Sequence, residues 1–204
     1  MKKMSFISPF ALIILVLWFS AMSAFGIWDL FNENWYMTVT MAFGSFIAGA
    51  TSEGGGAVAF PVMTLLFKIA PATARDFSLL IQSFGMTAAS LVILRKKIPV
   101  VKTAIIYSAL GAVLGNIIAF KYLTALFSPP ALKIFFCSFW LAFAFVLIKV
   151  KWQGRDLRFK KVERTRKNIS LLFGIGILGG MISAMTGSGL DIMTFALLTL
   201  YWWC

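Results

Sequence analysis

Two short stretches of this chain of 204 residues place glycines beside hydroxyl and carboxyl side chains within otherwise apolar sequence: Thr51-Ser52-Glu53-Gly54-Gly55-Gly56 and Thr186-Gly187-Ser188-Gly189, the latter followed by Asp191. Glycine lets a backbone approach a ligand closely, and a helix that starts at such a break offers unpaired N–H groups at its positive dipole end. That is chemistry for holding an oxyanion. Thr51, Ser52, Thr186 and Ser188 add hydroxyl donors, so Thr51, Ser52, Gly54, Gly55, Gly56, Thr186, Gly187, Ser188 and Gly189 are expected to bind a small anion without a buried arginine. Other chemistries drop out. The chain has no histidine, so Gly187-Ser188-Gly189, which looks like the surround of a nucleophilic serine, lacks the base that would activate it. Histidine-built metal sites are excluded in the same way, and Cys137 and Cys204 show no metal-ligand or disulfide spacing. No nucleotide motif is present, and no cofactor is expected.

The elements that must position these residues follow from composition. Hydrophobic residues make up 60% and charged residues 13%, against about 45–50% and about 25% in a soluble domain. Such a chain cannot cover a water-soluble globule with polar surface, so it is expected to be an all-α polytopic membrane protein. Apolar runs cover Pro9–Trp28, Trp35–Phe67, Phe77–Leu94, Val100–Phe120, Ala131–Val150 and Ile169–Cys204, with a polar loop at Asp29–Asn34. The first run follows Met1-Lys2-Lys3 and ends among small residues, as a signal peptide does. Its length and the further spans favour a retained helix. The second and last runs contain the two glycine-rich breaks. In hydrocarbon a broken helix survives only where protein or a water-filled cavity satisfies the freed backbone groups, so both breaks mark a buried site.

The charge is 19 Lys and Arg against 7 Asp and Glu, and it is distributed as a topology signal rather than as a nucleic-acid surface. Arg95-Lys96-Lys97 and the segment Lys149–Lys167, which holds nine basic residues, are separated by two spans and so share a face. The positive-inside rule makes that face cytoplasmic. If Trp35–Phe67 is a hairpin of two half-helices, the N-terminus is cytoplasmic too, with 15 basic residues inside and 4 outside (Lys68, Arg75, Lys121, Lys133). One broken span instead gives 13 and 6.

A shift of 135 positions superposes Gly44–Phe67 on Gly179–Trp202, with seven of 24 positions identical, among them Gly44/Gly179, Thr51/Thr186, Gly54/Gly189, Phe60/Phe195 and Thr64/Thr199. Under the hairpin topology the two copies enter from opposite sides. The expected architecture is a helical bundle of two inverted repeats with re-entrant or broken helices: residues 1–34 an N-terminal helix and periplasmic loop, 35–148 the first repeat, 149–168 a basic cytoplasmic linker, and 169–204 the start of a second repeat. Glycine-interrupted segments at matching positions of inverted halves point to the binding site of a secondary transporter. After Gly189 only 15 residues remain where the first copy continues through three spans, so a truncated product is expected.

The stretches Gly49–Pro61 and Gly179–Asp191, and the chain from Trp35 to Cys204 around them, resemble the sulfite exporter TauE/SafE family. The resemblance implies a bacterial inner-membrane permease of two related halves that moves sulfite, sulfonates or similar small anions, with the lipid bilayer as its other partner. Members are usually longer.

Glu53 and Asp191 are the acids within the interrupted segments, and an intramembrane carboxyl is a functional candidate by default. Each could carry a proton that couples transport to the proton gradient, or could cap a half-helix by accepting backbone N–H bonds. Gln82 and Asn116, inside apolar helices, could line the pathway or join helices by hydrogen bonds. The glycines themselves could serve close helix packing alone. A secondary transporter is the leading function. The alternatives are an intramembrane enzyme, an anion channel or an inactive fragment.

Overall fold

In the computed structural model the protein is described over residues 9–50, 54–152 and 162–202. Helix accounts for every regular element among them: α1 (Pro9–Phe25), α2 (Trp28–Glu33), α3 (Trp35–Ala50), α4 (Gly56–Pro61), α5 (Pro71–Arg95), α6 (Lys102–Ile118), α7 (Pro129–Trp152), α8 (Arg166–Thr186) and α9 (Leu190–Tyr201). The all-α expectation holds. Four helices, 71–95, 102–123, 129–152 and 166–186, are long and apolar enough to cross a membrane, whereas α4 and α9 are too short to span about 30 Å. Where a polar loop was expected at Asp29–Asn34, the chain forms α2, closed by the Asn34 side-chain amide donating to the Leu30 carbonyl at 2.9 Å.

The chain separates into two compact units at Val39/Thr40. The first contains α1, α2 and the opening turn of α3, with Trp18, Phe19 and Trp28 in edge-to-face contact. The rest of the chain forms the second unit.

Within the second unit the most extensive helix pairing is α6 with α8. It depends on small residues: a Cβ on Gly180 would lie 2.7 Å from Ala112 Cα, and one on Gly176 would lie 2.8 Å from Ser108 Cα. From the other side, Gly111 and Gly115 press on Phe173 and Ile177. Two backbones approach this closely only where side chains are absent, which is how helices attract one another in lipid, where tails are as apolar as leucine.

Two helices widen into π turns. α4 continues through Val62–Leu66 directly after Pro61, whose missing N–H already interrupts the ladder. α6 continues through Ala119–Leu123, where it packs on α8. In the first π turn the Thr64 carbonyl is taken by Lys133 Nζ of α7 at 2.9 Å.

After each glycine-rich interruption the described chain comes back into contact with the helix before it. A Cβ on Gly44 of α3 would meet the Gly55 carbonyl at 3.2 Å and Val58 Cβ at 3.6 Å, so the start of α4 touches α3. A Cβ on Gly179 of α8 would meet Leu190 Cα at 2.9 Å and Met193 Cβ at 3.5 Å. These are the same contacts displaced by 135 residues: 44 to 55 and 58, and 179 to 190 and 193. The displacement recurs in the side chains, since Thr64 Oγ1 donates to the Phe60 carbonyl at 2.8 Å and Thr199 Oγ1 to the Phe195 carbonyl at 2.9 Å. Both phenylalanines then pack on one helix, α7. Phe60 lies 4.8 Å from Phe136 and Phe195 lies 6.2 Å from Phe143, with Trp140 between the two α7 rings.

Candidate functional site

The second break is built by α8 itself. Gly187 ends the helix in the left-handed region, φ 81°, with its N–H on the Ser183 carbonyl at 2.8 Å. A side chain there would be strained as well as crowded, because its Cβ would meet Ser78 Cβ at 2.9 Å. The chain then enters α9 with its first donors already engaged. Leu190 N–H donates to Ser183 Oγ at 3.0 Å and Ile192 N–H to Asp191 Oδ1 at 3.0 Å. The Thr186 hydroxyl reaches the carbonyls of Ile182 at 2.9 Å and Ser188 at 2.8 Å. Thr186, Gly187, Ser188 and Gly189 are all buried.

Two side chains join this tip to the first break. Asp191 Oδ2 accepts the Gly54 N–H at 3.0 Å, linking residues 137 apart in the chain. Gln82, on α5, donates through Nε2 to the Gly187 carbonyl at 2.6 Å and to Ser78 Oγ at 3.0 Å, and its Oε1 faces Gly54. A Cβ on Gly54 would lie 2.7 Å from that oxygen and 3.0 Å from Asp191 Oδ2. Gly56 is tighter still: its Cβ would collide with Gln82 Nε2 and Ser78 Oγ and would sit 2.9 Å from the Gly187 carbonyl.

A cavity of about 410 Å³ opens beside this junction, with Gly54, Gly55, Gln82, Asp191 and Ser45 supplying its polar groups and α3 and α5 its apolar walls. Of the residues singled out in the sequence, Gly54, Gly55, Gln82 and Asp191 therefore meet at one space. Gly56, Thr186, Gly187, Ser188 and Gly189 form the buried floor of the same junction. Thr51, Ser52 and Glu53 lie outside the described residues. Asn116 is half-buried on α6 and does not line the cavity. Arg75 pairs with Asp76 at 2.7 Å and lies over Phe120, 5.0 Å from its ring centre, at the start of α5.

Ser78, Ser183 and Ser45 also belong to the site. Serine is common in membrane helices as a packing residue, and nothing in its type or spacing separates these three from the others. Among the described residues no group of three His, Cys, Asp or Glu side chains could hold a metal ion. Chemically the junction brings the Gly54 N–H, the Asp191 carboxyl that accepts it and the Gln82 amide to the edge of a space with apolar walls.

A family model described as Sulfite exporter TauE/SafE matches residues 36–203. No curated protein and no solved structure matches the chain.

Proposed function

The chain belongs to the sulfite exporter TauE/SafE family, membrane transporters of sulfite-type anions, and on that premise we propose that it is a secondary permease of the bacterial inner membrane. It exports sulfite or a small organosulfonate through the space beside Gly54 and Asp191. The observation that carries this reading is the bond from Gly54 N–H to Asp191 Oδ2 at 3.0 Å, because it puts a carboxyl oxygen where a substrate oxygen would sit. An incoming oxyanion takes that N–H, and the Asp191 carboxyl leaves it. In this reading the Asp191 carboxyl is the carrier that couples substrate movement to the proton gradient.

The repeated contact register at 135 residues supports two related halves, and we take them to be inverted, with the N-terminus and residues 149–168 cytoplasmic. Transport rather than catalysis is favoured by Ser188, which is 4% exposed in a chain without histidine. A serine nucleophile needs both access and a base.

The test is flux of sulfite and of a short sulfonate into proteoliposomes, with and without an imposed pH gradient. The unaltered chain should move one of these anions faster under the gradient, and Asp191→Asn should lose that acceleration. Absence of flux for every sulfur oxyanion would remove the substrate assignment. An undiminished response to the gradient in Asp191→Asn would remove the proton role while leaving the substrate standing. Glu53→Gln is the parallel variant for the other carboxyl.

A further inference from the structure

Gln82 presents a defined end of its amide to the cavity. Its nitrogen lies 2.6 Å from the Gly187 carbonyl and 3.2 Å from the Ser78 carbonyl, two groups that only accept hydrogen bonds. Reversing the amide would set its oxygen against both, so the network fixes Oε1 toward Gly54. Asp191 Oδ2 faces the same place. A Cβ on Gly54 would lie 2.7 Å from Gln82 Oε1 and 3.0 Å from Asp191 Oδ2, so a single small group reaches both oxygens. Both residues line the cavity of about 410 Å³. Among the described residues no Lys or Arg pairs with Asp191; Arg75 holds Asp76, and Lys133 holds the Thr64 carbonyl. The side-chain hydrogen bonds of Gln82 there are all made by its nitrogen.

Two acceptors side by side, one of them a carboxyl, form a seat for a group that donates hydrogen bonds and carries positive charge. We infer that the substrate is zwitterionic: a small sulfonate that also bears a primary ammonium. Its sulfonate takes the Gly54 N–H, while Gln82 Oε1 and the displaced Asp191 carboxyl hold its ammonium. The inference rests on the reading of Gly54 as the oxyanion seat and narrows the substrate class of that seat. A hydroxyl in place of the ammonium would meet the geometry but leave the charge of a carboxylate unmatched within the membrane, which is costly. Substrate ammonium and proton then compete for one carboxyl, so exchange of one for the other keeps the coupling proposed above.

Two sulfonates of nearly equal shape test this, aminomethanesulfonate and ethanesulfonate, which differ by an ammonium in place of a methyl group. Their affinities for the full chain in detergent are measured by calorimetry. Aminomethanesulfonate should bind at least about tenfold more tightly, the gain expected of charge-assisted hydrogen bonds. Asp191→Asn, close to isosteric, should bring the two affinities together while still binding ethanesulfonate, and Gln82→Met should narrow the gap. Asn116→Leu, away from the cavity, should leave the gap intact. Equal affinities in the unaltered chain would overturn the inference and leave the oxyanion seat standing, whereas binding of neither sulfonate would remove both. A gap that survives in Asp191→Asn or in Gln82→Met would also overturn it, and Asp191→Asn decides alone if Gln82→Met does not fold. So would a rise of ethanesulfonate to the affinity of aminomethanesulfonate in sodium but not in N-methylglucamine, which would give the two oxygens to a metal ion.

Discussion

At the scale of single residues, the breaks are defined by what glycine leaves out. Gly56 sits where a Cβ would collide with Gln82 and Ser78, whereas Gly85, on the adjoining cavity, has no neighbour within 4 Å. Alanine at position 56 should therefore lower thermal stability in detergent by about 1–3 kcal/mol, the usual cost of overpacking a close-fitted site. Alanine at position 85 should leave the melting curve unchanged. Equal melting of the two variants would show that the junction is loose. The sequence exposed part of this arrangement and hid part. Gln82 and Asp191 are polar groups in apolar surroundings, expensive to bury unpaired, and so they stand out in any reading of the chain. Ser78 and Ser183 cost little to bury and carry no comparable signal. Nor does Lys133, whose ammonium satisfies the Thr64 carbonyl at a π turn. That partnership lies 69 residues apart in the chain and exists only once α7 has packed.

At the scale of elements, long apolar runs predicted the spanning helices because run length is set by bilayer thickness. The observed helices extend the runs at their ends, as with Pro71–Arg95 for the run Phe77–Leu94. Opening turns such as the second turn of α5, which holds Arg75 and Asp76, are helical without being hydrophobic. The π turns at Val62–Leu66 and Ala119–Leu123 were not visible, because widening by one residue per turn leaves the hydrophobic pattern nearly unchanged. The α6–α8 contact permits a direct test of which glycines pack. Gly180→Ala places a methyl group against Ala112 and should destabilise the purified protein, while Gly174→Ala, in open space on the same helix, should have no effect. A size-exclusion-monitored thermal ramp distinguishes them, and similar midpoints would deny the contact.

For the whole molecule, the arrangement of charge predicts sidedness. Lys97→Cys and Arg164→Cys, introduced into a chain lacking its native cysteines, should react with a membrane-impermeant maleimide from the cytoplasmic side, and Lys68→Cys from the other. Labelling of all three from one side would rule out α5 as a span and with it the assigned sidedness. One consequence of the Asp191 contact appears only at this scale. A carrier makes half of its cycle without cargo, and unpaired donors facing hydrocarbon cost several kcal/mol each. If Gly54 is the substrate seat proposed above, the Asp191 carboxyl resting on it covers that donor with a group the protein never releases. In the proposed cycle, the step that carries no substrate would then expose no bare donor at Gly54.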